Sequence, residues 1–146
     1  MKLRGNSPAK VDEKGRLKIP ARFLEDLEEY GTGFYITSPT GESARIYPLK
    51  VWSEIENSLA KQANSKEKRK FLKRTSYFGQ VEELDGQGRV LLPAVLREAA
   101  LLKGDVAVLG MSSYLEVMND ARVVDEIKND PFTDEDEDKL GIVIGE

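Results

Sequence analysis

The chain has 146 residues, enough for one ordinary domain or two small intertwined ones. It contains no cysteine and no histidine, which removes disulfides, thiolate nucleophiles, Cys-type zinc sites and the commonest general base. The net charge of −4 hides a segregation: residues 120–146 carry −7 and the remainder +3, with +5 on residues 1–22 and +6 on residues 61–74. Basic patches beside an acidic end favour a polyanionic partner more than the overall sign does. No apolar run can span a bilayer, and the first residues lack the apolar stretch of a signal peptide. A cytoplasmic protein with no membrane partner is expected.

In chain order, residues 9–12 and 16–19 read as short strands around a turn, with Gly15 at the position that needs positive φ. Pro20 sits where a helix can begin, and Phe23, Leu27 and Tyr30 place one apolar stripe on a helix over 21–30. Gly31 closes it. Strands over 34–37 and 44–47 follow, around the turn-forming residues 38–41. Pro48 opens a helix with Trp52, Ile55, Leu59 and Ala63 on one side, interrupted by Glu56. Ser65 can cap a second helix over 66–78, with Phe71, Thr75 and Phe78 on one face and bases over most of the rest. Trp52, Tyr47 and Tyr77 read as packing residues.

The second half repeats the order. Strands over 81–84 and 89–92 flank Gly88, a helix covers 94–101, Gly104 ends it, and strands over 106–109 and 114–117 surround residues 111–113. From Asn129 onward dense like charge without a hydrophobic period reads as a mobile tail. The class expected is α+β with a mainly β core.

The repeat is literal. Val11-Asp12-Glu13-Lys14-Gly15-Arg16-Leu17-Lys18-Ile19-Pro20-Ala21 returns as Leu84-Asp85-Gly86-Gln87-Gly88-Arg89-Val90-Leu91-Leu92-Pro93-Ala94. The step from Asp12 to Asp85 is 73 residues, half the chain. A duplicated half implies a pseudo-twofold molecule. Asp12 and Asp85 read as braces that accept turn N–H groups and pair with Arg16 and Arg89, because an acid facing phosphate would repel it. For Arg16 and Arg89 two readings stand open, partner of the brace or planar fork toward phosphate and guanine. Lys14 and Lys18 face Gln87 and Leu91 at the matched positions, so the first hairpin is the more basic. The run 66–74 is either the solvated face of a helix or a phosphate contact, and it could instead dock the acidic tail. Gly31-Thr32-Gly33 and Gly86-Gln87-Gly88 continue into neither a dinucleotide fingerprint nor a P-loop. With no standout carboxylate pair, the chain reads as non-enzymatic, with no cofactor, metal or small-molecule substrate.

Arg4-Gly5-Asn6, the Val11 to Phe23 segment, Tyr47-Pro48-Leu49-Lys50-Val51-Trp52, and Leu84 to Pro93 with Leu96-Arg97-Glu98 together resemble the MraZ family. That family is built from two SpoVT-AbrB-like repeats, and the match spans about residues 1–118. The resemblance implies a tandem AbrB-like swapped-hairpin β-barrel with connecting helices. It divides the chain into a first repeat (1–50), a helical connector (51–78), a second repeat (79–120) and an acidic tail (121–146), the last lying outside the pattern. It further implies a homo-oligomeric ring that binds double-stranded DNA at short direct repeats upstream of the division and cell-wall gene cluster, including its own promoter, and that associates with the nucleoid. Repression is the expected outcome. The expected DNA-binding residues are Arg4, Lys14, Arg16, Lys18 and Arg89; Asp12, Gly15, Asp85 and Gly88 hold the turns. The other reading is an oligomeric scaffold or antitoxin-type module for a protein partner.

Overall fold

The computed structural model describes residues 2–144. In the first half, strands β1 (Leu3–Val11) and β2 (Arg16–Lys18) form a hairpin, followed by helix α1 (Ala21–Leu27) and a single 3-10 turn, Glu28–Tyr30. Strands β3 (Gly33–Thr37) and β4 (Ala44–Pro48) lead into helix α2 (Leu49–Ala60). Helix α3 (Lys66–Tyr77) connects to the second hairpin, β5 (Gln80–Glu83) and β6 (Arg89–Leu91). Helix α4 (Ala94–Ala100), strands β7 (Gly104–Ser112) and β8 (Leu115–Asn119), and helices α5 (Asp120–Asn129) and α6 (Asp134–Leu140) complete the chain.

The eight strands form one sheet in the order β5-β3-β4-β8-β7-β1-β2-β6. Its two ends, β5 and β6, are joined through the second hairpin, where the Asp85 N–H donates to the Arg89 carbonyl at 2.9 Å, so the sheet nearly closes into a barrel. Each hairpin leaves its own half: β1 pairs with β7, and β5 pairs with β3. Such an exchange makes the two halves mutually dependent.

A pseudo-twofold axis crosses the barrel. On one wall Leu17 faces Val90, its own repeat, in the β2–β6 ladder; on the opposite wall Ala44 faces Val117 in the β4–β8 ladder. Hydrogen bonds obey the same relation: the Ile19 N–H donates to the Gly88 carbonyl and the Leu92 N–H to the Gly15 carbonyl, both at 3.0 Å. Leu17, Ile19, Phe23 and Leu27, and their repeats Val90, Leu92, Leu96 and Ala100, are all buried in a single core. The i, i+4 spacing of Phe23 and Leu27, behind Pro20, puts one apolar stripe of α1 onto that core.

Several elements depart from the sequence reading. Strand β1 begins at Leu3, far ahead of residue 9, although Gly5 and Pro8 weaken β propensity. Pro8 pairs in register with Ala107 of β7, but its nitrogen, like the Asp12 N–H that donates to Arg16, faces the other side of β1, where β2 reaches only the Val11–Leu17 pair and no strand needs the missing N–H. Strand β7 likewise runs on to Ser112, and the turn tightens there, with Ser112 at φ 69° and the Met111 N–H bonded to the Tyr114 carbonyl. Residues beyond Asn129, expected to be irregular, include α6. Thr133 caps that helix with a reciprocal Asp136 contact, Lys139 pairs with Glu135 at 3.4 Å, and Gly141 ends it at φ 76°. Acids in its first turn also suit the helix dipole.

Trp52 and Tyr47 are buried as expected, Trp52 stacking on Tyr35 with ring centroids 4.8 Å apart. Tyr77 is 67% exposed, contrary to its reading as a packing residue. One residue before the buried Phe78, it falls on the outer side of α3, opposite Phe71 and Thr75.

Candidate nucleic-acid interface

Both hairpin loops are built alike, atom for atom. Asp12 Oδ1 accepts from the N–H groups of Lys14 (3.0 Å) and Arg16 (2.9 Å), while Oδ2 accepts from Arg16 Nε at 2.9 Å. Asp85 does the same with Gln87 N (2.8 Å), Arg89 N (2.9 Å) and Arg89 Nε (2.9 Å). The Arg16 and Arg89 backbone N–H groups, opposed by partial desolvation and aided by the guanidinium groups, hold the two carboxyls below the usual carboxylate range. The charged form is therefore the one each loop is built around.

This geometry joins the two readings of the arginines. Only Nε is engaged by the aspartate, and the two terminal nitrogens of Arg16 and Arg89 find no partner among the described residues. A guanidinium fixed through one edge presents the other with little conformational entropy left to lose. Bracing and presenting are thus one arrangement.

The β2–β6 pairing decides what stands beside them. Lys18 lies directly opposite Arg89, Arg16 opposite Leu91, and the buried Leu17 and Val90 alternate beneath. Arg16, Lys18 and Arg89 therefore share one outward face, with Arg16 and Arg89 as diagonal neighbours about 7–8 Å apart. Lys14 is exposed at the tip of the first loop. The Gly15 carbonyl bonds to Leu92 and the Gly88 carbonyl to Ile19, so the loops flank the ribbon at its two ends.

Arg4 is not brought to this patch. It lies on β1, six residues from Lys10 or about 20 Å of strand, and pairs in register with Met111. Its carbonyl accepts from Arg22 Nη2 at 3.2 Å, beside a groove that also carries Glu25, Asp26, Glu28 and Glu29.

Arg97, on α4, was not singled out as a site residue. Its Nε donates to the Leu92 carbonyl at 2.9 Å, and its guanidinium lies where a Gly15 side chain would stand. The residue matching Arg97 in the first half is Leu24, whose Cδ1 would lie 2.9 Å from a methyl at Gly88. Three of the matched places at which the halves differ, Lys14 and Gln87, Lys18 and Leu91, Arg97 and Leu24, put a cation at the first hairpin, against one that puts an acid there, Glu13 and Gly86. The signal for Arg97 was present in the repeat but lay beyond the matched phrase. Gly15 (φ 84°) and Gly88 (φ 77°) both hold a left-handed backbone at these crowded contacts.

A tandem repeat whose exchanged hairpins close one pseudo-twofold barrel defines the class: a double AbrB-like swapped-hairpin protein. The family described as "MraZ protein, putative antitoxin-like" matches residues 3–74 and 80–142. The chain is 52% identical over 140 residues to the transcriptional regulator MraZ of Acidobacterium capsulatum, covering 94% of this chain and 96% of that protein. It is 46% identical to its counterpart in Koribacter versatilis, with the same coverage, and 40% identical to that of Moorella thermoacetica, covering 77% of each chain. The chain belongs to the MraZ family. Relatives that carry the name transcriptional regulator support a role in transcription.

Proposed function

We propose that this chain is a sequence-specific DNA-binding repressor of transcription. In this reading it acts as a homo-oligomeric ring on short direct repeats upstream of the division and cell-wall genes, its own promoter included. The observation that carries the proposal is the β2–β6 ladder, which gathers Arg16, Lys18 and Arg89 on one rigid two-stranded surface with Lys14 at its end. The major groove admits a two-stranded ribbon, and planar guanidinium groups suit both phosphate and the guanine edge. A patch this small contacts few base pairs, so several copies on repeated sites would multiply a weak affinity. Cytoplasmic, nucleoid-associated localisation follows from the same reading.

Electrophoretic shift with the DNA immediately upstream of the gene tests it. Binding is expected to depend on repeat spacing and to weaken steeply with salt. Arg16→Ala, with the fold intact by circular dichroism, is expected to lower affinity about fivefold or more, given about 1–3 kcal/mol for a good bidentate contact. The antitoxin-like wording of the family description favours a second reading, a scaffold for a protein partner. Unchanged binding by Arg16→Ala would overturn the assignment of this site, while an interaction that depends on neither salt nor repeat spacing would decide for that scaffold.

A further inference from the structure

We infer that the outward face of α3 is a docking surface for the acidic helix α6 of a second copy of this chain. Helix α3 stands on the barrel through Thr75, whose carbonyl accepts from the hydroxyls of Tyr35 (2.9 Å) and Thr37 (2.7 Å). Arg74 ties it to the loop after β3 by donating to the Pro39 and Thr40 carbonyls. With Phe71 and Thr75 turned inward, helical spacing turns Lys66, Arg69, Lys70, Lys73 and Tyr77 outward along one stripe. None of these four cations has an ion-pair partner among the described residues. They line a shallow groove that begins at Asn64 and Ser65.

The complement lies on α6. Of its five acids, Glu135 is taken by Lys139, which leaves Asp134, Asp136, Glu137 and Asp138 without a cationic partner among the described residues. Asp136 is also held by the Thr133 N–H of the cap, so Asp134, Glu137 and Asp138 are the free anions that answer the four free cations. Apolar groups accompany both: Tyr77 is 67% exposed at one end of the stripe, and Leu140 and Ile142 are 54% and 58% exposed after the acids.

The occupant is a second copy rather than the same chain. Helix α5, which leads into α6, packs on β7 and β8, whereas α3 is held by β3. Among the described residues, no ion pair joins α3 to α6 within the chain. The contact is heterologous, one surface of a chain meeting a different surface of the next, and so can propagate or close on itself. It uses none of the hairpin residues, and it stands or falls independently of the DNA reading.

The native chain has no cysteine, so single cysteines report without background. Full-length Lys70→Cys and Asp138→Cys chains carrying different tags are co-expressed and treated with a short bis-maleimide. A covalent dimer carrying both tags is expected at low salt, and its loss at about 1 M salt, where the screening length falls to about 3 Å. Adding Lys66→Glu, Arg69→Glu and Lys73→Glu to the Lys70→Cys chain should abolish the dimer. Adding Asp134→Lys and Glu137→Lys to the Asp138→Cys chain, which leaves the Asp136 cap in place, should then restore it. Absence of the mixed dimer at low salt overturns the inference. So does linkage within a single chain when both substitutions are placed together in a dilute sample. Protection of the Lys70→Cys thiol by an unrelated DNA duplex, without a mixed dimer, would assign the stripe to phosphate and overturn it as well.

Discussion

At the residue scale the informative groups are Asp12 and Asp85, whose hold on Nε decides how Arg16 and Arg89 present their terminal nitrogens. Each carboxylate accepts two backbone N–H groups and one guanidinium Nε, and each is held below the ordinary carboxylate range, first by the N–H of its arginine. The sign of the linkage follows. A depressed folded-state pKa contributes stability that is fully present above the unfolded value and is lost as pH falls through the folded one. Melting temperature measured from about pH 6 to about pH 2 should therefore fall, and Asp12→Asn/Asp85→Asn should flatten that fall while lowering the plateau. Equal acid sensitivity of the variant and the parent would assign the loss to other carboxylates. The brace and the duplicated turn were legible in the sequence because the interaction spans four residues and uses local backbone donors. The place of Arg4 was not. It shares a short basic segment with the hairpin but sits at the far end of a nine-residue strand.

At the element scale, the two hairpins share a backbone and differ in charge. If the first is the reader because of its lysines, the second should become one when given them. Gln87→Lys/Leu91→Lys adds two cations at exposed positions that match Lys14 and Lys18. Affinity for the upstream repeats should rise, and the slope of log affinity against log salt should steepen by about 2, near 0.9 per added phosphate contact. No change in slope would mean that the second hairpin never meets the backbone of DNA. Periodicity reached the helices well: Ser65 does cap α3, accepting from the Lys68 N–H at 3.0 Å, and Pro20, Pro48 and Pro93 each precede a helix. Strand ends and the acidic end were harder. Strand β1 owes its first residues to β7, a partner in the other half of the chain about which local propensity carries no information. Helix α6 depends on a cap, one i, i+4 pair and a terminal glycine, while its charge run points to disorder.

For the whole molecule, the repeat is visible in the residues themselves, whereas the exchange of hairpins is implied only by the family resemblance, since two similar halves could equally pair within themselves. The structure resolves the choice through its ladders: β1 pairs along its entire length, Leu3 to Val11, with Ser112 to Gly104 of the other half. Strand β5 pairs with β3, and the two short strands β2 and β6 complete each other across the axis. A half removed from its partner would expose Leu17 or Val90, both buried against the opposite half, together with unpaired strand edges. Backbone groups left without partners and apolar surface returned to water both oppose folding of the fragment. Residues 1–64 and 65–146 produced separately should accordingly lack the far-ultraviolet signature of the full chain at micromolar concentration. Mixed in equal amounts they should recover it as a one-to-one complex, detected by circular dichroism and light scattering. Leu17→Asp in the first fragment should block recovery, because it places a charge on the axis opposite Val90. A fragment that folds alone as a monomer would show that each hairpin can return to its own half, and the exchanged barrel would then be one of two arrangements open to the sequence.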